Sequence, residues 1–276
     1  MPCIVEILSV GNELLLGNTV NTNASWIATQ VTSIGGTVRR ITTVGDNLGE
    51  ISRSINESLT RRPDVLITTG GIGPTFDDMT LKGVARALGL RTKLNKKAVE
   101  MIQKHYERRF HRRLVKLSKP RLKMAELPTG STPIHNPVGT APGVMLTIGK
   151  TQTFCLPGVP SEAKAIFVET VSKVIRAKAG GNTFTEQWLR VTGVMESTLA
   201  PIIDRVMDHN AGVYIKSHPR GFETKVHPRI ELHFSTFSKT PNEANKKVIR
   251  AVTEIRKELR SLGAKITAIE KVVNIL

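Results

Sequence analysis

Residues 65–80 read Val-Leu-Ile-Thr-Thr-Gly-Gly-Ile-Gly-Pro-Thr-Phe-Asp-Asp-Met-Thr, and this stretch decides how the chain is organised. The apolar burst Val65-Leu66-Ile67 has the character of a buried strand and ends at Thr68-Thr69. Gly70, Gly71 and Gly73 then let the backbone come close to a ligand, because glycine has no side chain to hold it away. Successive N–H groups of such a loop, with the N-terminus of the next helix, form a concavity suited to phosphate. Asp77 and Asp78 beside it would repel an anion unless a cation sat between them, so the loop points to phosphate chemistry with a divalent ion. The same spacing also fits a plain strand-to-helix turn capped by Asp78 or Thr80.

Working outward, strands and helices alternate. Cys3 to Val10 is an apolar run of strand length, and Trp26, Ile27, Val31 and Ile34 place a helix from Asn23 that stops at Gly35-Gly36. Residues 37–44 alternate like a strand. Leu48, Ile51, Ile55 and Leu59 form an amphipathic stripe with Asp46 or Asn47 placed to cap it. Leu81 to Leu88 is a short helix ended by Gly89, and Asn95 starts another carrying Val99, Ile102, Tyr106 and Phe110. Residues 130–142 are a Gly/Pro-rich loop. Strands at 143–148 and 152–156 flank a Gly149-Lys150-Thr151 turn, and Pro157-Gly158-Val159-Pro160-Ser161-Glu162 leads into a helix to about Lys178.

This alternation predicts an α/β fold: a mostly parallel sheet with helices on both faces. Ligands of such sheets sit beyond the carboxyl ends of the strands. The loops at 11–17, 70–78 and 157–162 all follow strands, so they can converge on one site. Ala179-Gly180-Gly181-Asn182 marks a boundary, giving a domain over 1–180 and a smaller one over 183–276. The second reads β-α-β-β-α, a small α+β domain, with residues 264–276 fitting either a strand or a short helix.

At 276 residues and 39% apolar content the chain can support two cores. No apolar run approaches the roughly 18 residues of a membrane span and no leader is evident, so a cytoplasmic protein without membrane attachment is expected. Cys3 and Cys155 lie in strand-like runs, which suits buried reduced thiols. The net charge of +17 calls for an anionic partner. It concentrates in residues 104–123, which read either as a solvated helix face or as a basic rim that draws in a polyphosphate ligand. Aromatic content of 4% argues against stacking platforms for single strands, so nucleic acid is not favoured.

Several motifs are missing. No Gly-Lys-Ser/Thr follows the glycine loop, Pro74 interrupts any dinucleotide fingerprint, the histidines lack zinc spacing, and Ser161 has no nucleophile elbow around it. What remains is a set of carboxylates on Gly/Pro loops: Glu13, Asp46, Asp77, Asp78 and Glu162. Mg²⁺ takes one or two carboxylates plus substrate phosphates, and such an ion polarises a pyrophosphate and activates water. Asp46 reads equally as a helix cap, Glu162 as a first-turn acid facing the helix dipole, and Lys82 and Arg86 as solvated surface.

Four ordered blocks carry a resemblance: Gly11-Asn12-Glu13-Leu14-Leu15-x-Gly17 with Asn21-Thr22-Asn23, Thr68-Thr69-Gly70-Gly71-Ile72-Gly73-Pro74-Thr75-x-Asp77-Asp78-x-Thr80, Asn136-Pro137-Val138-Gly139-Thr140-Ala141-Pro142-Gly143, and Leu156-Pro157-Gly158-Val159-Pro160-x-Glu162. Over residues 3 to 178 the chain resembles the molybdopterin-binding-type fold, and within it the N-terminal part of the competence/damage-inducible protein A (CinA) family. The β-α-β-β-α region resembles that family's KH-like second domain.

The resemblance implies a homodimeric nucleotide pyrophosphatase that splits ADP-ribose or FAD with a divalent metal (Co²⁺, Ni²⁺ or Mg²⁺) and K⁺ in some members. Many members of the family carry a further C-terminal deamidase domain, and deamidase activity is not expected of this sequence. On that basis the amides of Gly70, Gly71 and Gly73, with Thr75, hold the phosphates. Asp78 and Asp77 position the metal, with Glu13 or Glu162 completing its shell or orienting water. Asn12, Asn136, Thr140 and Pro157-Gly158 shape the nucleotide pocket. Asn12 stands where the wider fold often has Asp. The KH-like domain lacks a Gly-x-x-Gly clamp and reads as structural or dimer-forming. The rival readings are a molybdenum-cofactor enzyme and a basic nucleic-acid-binding module.

Overall fold

The computed structural model describes residues 3–111, 115–220 and 228–270. The chain divides into two compact units near Gly180. The first is built on β1 (Cys3–Val10), β2 (Gly36–Val44) and β3 (Val65–Thr69), with helices α1 (Asn12–Leu15), α2 (Thr22–Ser33) and α3 (Leu48–Thr60) between and beside them. Then come α4 (Thr80–Ala87), β4 (Thr92–Leu94), α5 (Lys96–Phe110), α6 (Lys119–Lys123), β5 (Glu126–Pro128), β6 (Thr132–Ile134), β7 (Gly143–Ile148) and β8 (Thr151–Leu156). Helices α7 (Pro160–Ile166) and α8 (Ser172–Ala179) close the unit, joined through one wider π-turn at Phe167–Val171.

The main sheet runs β2-β1-β3-β8-β7-β6. Its first four strands are mutually parallel, β7 runs against them and β6 against β7, so the sheet is mixed. The central strands β1, β3 and β8 are buried on both faces, as interior parallel strands require, while the edge strand β2 is exposed over residues 39–41. Leu8, Val10, Leu66 and Cys155 meet Ile51 and Ile55 of α3 and Val84 of α4. The alternate residues Val5, Ile7, Val65, Ile67 and Phe154 are buried too and point to the opposite face. There Trp26 of α2 packs edge-on against Phe167, and a side chain on Gly36 would strike Val31 of α2 and Ile175 of α8. Both cysteines are free and buried, and burial pushes each thiol up to about 11.

The strands β4, β5 and β6 have three residues each, too few to leave a periodic signal. Asn47, not Asp46, caps α3, accepting from the N–H groups of Gly49 and Glu50. Asn95 caps α5 as its position suggests.

The second unit is β9 (Thr183–Thr192), α9 (Glu196–His209), β10 (Val213–Pro219), β11 (Arg229–Ser238), α10 (Pro241–Ser261) and β12 (Lys265–Ile269). Its antiparallel sheet runs β10-β11-β9-β12. Leu189, Val191, Leu232 and Phe234 of the sheet form one core with Leu199 and Val206 of α9 and Ile255 of α10. The β-α-β-β-α order expected is present, and β12 settles Lys265–Ile269 as a strand; residues 271–276 lie outside the described residues. This is the split β-α-β topology. A KH clamp joins two consecutive helices, whereas here the β10–β11 hairpin separates α9 from α10, so the unit is a split β-α-β sandwich where a KH-like order was expected. Among the described residues no helix is long and apolar enough to cross a membrane.

Candidate functional site

The carboxyl ends of β1, β3 and β8 open into one cleft of about 500 Å³. Its walls are Gly11 and Glu13 after β1, residues 70–75 with Asp77 and Asp78 after β3, and Pro157, Gly158, Val159 and Glu162 after β8. Thr140 and Ala141 come from the 136–142 loop, Asp46 follows β2, and Tyr106 and Met124 are added from α5 and the end of α6. The three strand-end loops thus do converge.

The glycine loop is packed too tightly for any other residue. Gly70 has φ +92°, and a Cβ there would lie 2.2 Å from the Val10 carbonyl oxygen. A Cβ on Gly71 (φ +65°) would lie 2.3 Å from the Thr80 hydroxyl oxygen. That hydroxyl donates to the Gly70 carbonyl (2.8 Å), and the Thr80 N–H donates to the Gly71 carbonyl (2.9 Å). Thr80 is therefore a buried strut of the loop and no helix cap. The Gly70 N–H is spent on the Leu156 carbonyl (3.0 Å), so it is not a phosphate donor. Gly71, Ile72 and Gly73 border the cleft, and their N–H groups have no protein partner among the described residues. The N-terminal turn of α4 contributes less than expected: Leu81 and Lys82 border a separate small hollow with Lys123 and Glu126.

Asp78 folds the loop on itself. Its Oδ2 accepts from the Thr75 N–H (2.8 Å) and hydroxyl (2.6 Å), so both expected Thr75 donors are occupied within the protein. The exposed Asp77 carboxyl is held below its usual range by the neighbouring Thr75 side chain and its own backbone. Lys123, the last residue of α6, donates to the carbonyls of Thr75 and Asp78 and braces the loop from behind. Burial lowers its pKa, against the opposing pull of Asp78.

Across the cleft, Asn136 is buried and its amide is fully used. The Nδ2 donates to the Ala141 carbonyl (2.8 Å) and to Glu162 Oε2 (2.6 Å), while Oδ1 accepts from Gly139 (2.8 Å) and Val138 (3.2 Å). Asn136 is thus a positioning residue behind the wall, not a wall itself. A Cβ on Gly139 would sit 2.0 Å from the Glu162 carboxyl carbon, so only glycine lets that carboxylate reach the loop. Burial raises the Glu162 pKa, and the Asn136 bond only partly offsets it.

Asn12 also stands behind the cleft. Its N–H donates to Asp46 Oδ2 (2.8 Å) and its Oδ1 accepts from the Asp46 N–H (3.1 Å), a reciprocal tie between the loops after β1 and β2. Asn23 donates to the Gly158 carbonyl (2.8 Å) and fixes the third loop. Of the residues singled out in the sequence, Glu13, Gly70, Gly71, Gly73, Thr75, Asp77, Asp78, Thr140, Pro157, Gly158 and Glu162 share the cleft. Tyr106, Met124, Lys123 and Gly139 escaped that reading. Lys123 was hidden in a basic run, and Tyr106 in a core stripe.

Five carboxylates, from Glu13, Asp46, Asp77, Asp78 and Glu162, line the cleft with no lysine or arginine among its described walls. One oxygen each of Asp46, Asp78 and Glu162 is already engaged by protein donors. No three His, Cys, Asp or Glu side chains converge into a metal cage among the described residues. The donor set suits a hard cation that completes its shell with oxygens of a bound ligand.

Residues 6–177 match the family described as a probable molybdopterin binding domain. Protein PAE0875 of Pyrobaculum aerophilum is 42% identical over 251 residues, covering 91% of this chain and 92% of the relative. Protein TV0584 of Thermoplasma volcanium is 40% identical over 250 residues, covering 91% and 93%. The crystal structure of the protein CinA with unknown function from Thermoplasma acidophilum is 39% identical, with a TM-score of 0.58, and the match covers 63% of this chain and 98% of that one. The glycine loop, the converging strand ends and these matches agree, and the chain belongs to the probable molybdopterin binding domain family.

Proposed function

We propose that the cleft of the first unit binds molybdopterin or a similar phosphorylated ring compound, with a divalent cation between its phosphate and the carboxylates. The family description supports the ligand class. The observation that carries the reading is the pairing of unspent N–H groups at Gly71, Ile72 and Gly73 with five carboxylates in a protein of net charge +17. An anion enters such a cleft only with a cation, which would be held by Asp78, Asp77 and Glu13 or Glu162 together with ligand oxygens. Bound there, Co²⁺, Ni²⁺ or Mg²⁺ would withdraw electron density from phosphorus.

A second reading, metal-dependent hydrolysis of ADP-ribose or FAD, is supported by Glu162. Burial raises its pKa, which makes this cleft carboxylate a better proton acceptor from an attacking water. Equilibrium binding of molybdopterin, and AMP release from ADP-ribose and FAD with Co²⁺ or Mg²⁺, distinguish the two. Binding that needs the metal and is lost in Asp78→Ala, without AMP, supports the cofactor reading. AMP release lost in the same variant supports hydrolysis. Neither binding nor AMP release, or an Asp78→Ala variant that behaves as wild type, would sink both.

A further inference from the structure

Alternation fixes what the second sheet shows on the side away from its helices. Leu189 and Val191 of β9, Val213 and Ile215 of β10, and Leu232 and Phe234 of β11 fill the core with α9 and α10. The residues between them share the opposite face, which an antiparallel sheet covered on one side leaves to solvent. That face would be unremarkable if it held only threonines and paired charges. Instead it collects Phe184, Trp188, Tyr214 and Phe237, four of the chain's eight Phe, two Trp and two Tyr.

Register groups these rings. Phe184 and Phe237 are direct cross-strand partners with centroids 5.1 Å apart, and Tyr214 pairs with Ser235, two residues from Phe237. Tyr214 is 57% exposed and Phe237 37%. In the middle of the sheet, Trp188 stacks on His233 at 4.1 Å and 12°.

The charges on this face are unbalanced. Glu231 is bound by Arg190 (3.2 Å) and Arg220 (3.0 Å), and Glu186 by His233 (2.7 Å). Both acids are therefore matched, while Lys216, Arg229 and Lys265 stand exposed on the same face. Flat rings beside surplus cations on an open four-stranded sheet are the chemistry by which RNA-recognition sheets hold bases and backbone together.

We propose that this face binds single-stranded nucleic acid. Bases stack on Tyr214 and Phe237, with Phe184 behind them, and phosphates meet Lys216, Arg229 and Lys265. The low overall aromatic content does not weigh against such a face, because a stacking platform needs local concentration only. The proposal does not depend on what the cleft binds.

Fluorescence anisotropy of the full chain with labelled oligouridylate, oligothymidylate and a duplex tests the proposal. Single strands should bind better than duplex, with affinity falling steeply between about 50 and 200 mM salt. The Tyr214→Ala/Phe237→Ala variant should weaken binding at least about 10-fold, Tyr214→Phe should retain it, and Lys216→Glu/Lys265→Glu should reduce both affinity and salt slope. Circular dichroism checks that each variant is folded. No single-strand binding at low salt, or binding that the double aromatic variant leaves unchanged, overturns the proposal. So does a double variant that changes only the oligomeric state in sedimentation, since the face would then be a contact between copies.

Discussion

At the middle of β1, Glu6 is buried between two arginines; at the carboxyl end of the same sheet, Glu162 is half-buried against one amide. Arg61 grips both Glu6 oxygens (2.8 and 3.0 Å) and Arg39 donates twice to Oε1 (3.0 and 3.2 Å). Burial alone would raise the Glu6 carboxyl, but those hydrogen bonds outweigh it and hold it below the ordinary glutamate range. For Glu162 burial wins and the pKa rises. One acid is matched and serves the fold, while the other is left short of partners and is available to a ligand. The interior of a parallel sheet has to satisfy its polar groups, whereas its strand ends can leave N–H groups and carboxylates unspent.

The largest expected effect removes the matched acid. Glu6→Ala should cost about 3 kcal/mol by thermal or urea unfolding, because it empties a buried site and removes the acceptor that Arg39 and Arg61 share. The sign with pH follows from the lowered pKa. The stability that Glu6 contributes is present above about 4.5 and fades as pH falls through its folded value, so wild type and Glu6→Gln should converge in acid. A pH-independent gap would remove one side of the comparison.

Next, Gly70→Ala should cost about 2–3 kcal/mol, since it adds a clash with the Val10 carbonyl to an unfavourable φ. Gly212 in the second unit has φ +85° but open space around it, so Gly212→Ala should cost only about 1 kcal/mol. Equal losses would mean that the glycine loop is an ordinary turn.

Glu162→Gln sharpens the contrast, because its pH dependence should have the opposite sign. With a folded pKa above the unfolded one, ionised Glu162 costs stability as pH rises beyond about 4.5. The glutamine variant should therefore gain on wild type toward neutral pH, by under about 1 kcal/mol for so accessible a group, while losing ligand binding. The smallest effect is Lys123→Ala, about 1 kcal/mol or less globally, read instead as faster hydrogen exchange over residues 75–78.

Much of this architecture was legible in the sequence. The strands at 3–10 and 65–69 are largely apolar runs, the one at 151–156 follows a Gly-Lys turn and ends at Pro157, and parallel topology brings the loops after all three to one sheet edge. What was hidden depends on long-range partners. Asn12 and Asp46 are 34 residues apart and tie each other's backbones, so neither could be read as a loop clasp from its own neighbourhood. The Thr80 hydroxyl and the Gly70 N–H are spent inside the protein, which spacing does not reveal. Asn136 lies in one of the four blocks that carry the resemblance, yet it acts through Glu162 and does not line the cleft. In the second unit, β12 pairing with β9 set the sheet order, and a five-residue strand at the end of the chain carries little pattern.

The central claim is that a phosphorylated ligand meets the strand-end cleft through the unspent N–H groups of the glycine loop. Backbone hydrogen exchange of the full chain, with and without ADP-ribose or molybdopterin in the presence of Mg²⁺, reads those groups directly. Metal-dependent protection is expected at residues 71–73 and along 157–162. Ligand binding with unchanged exchange at residues 71–73 would contradict it.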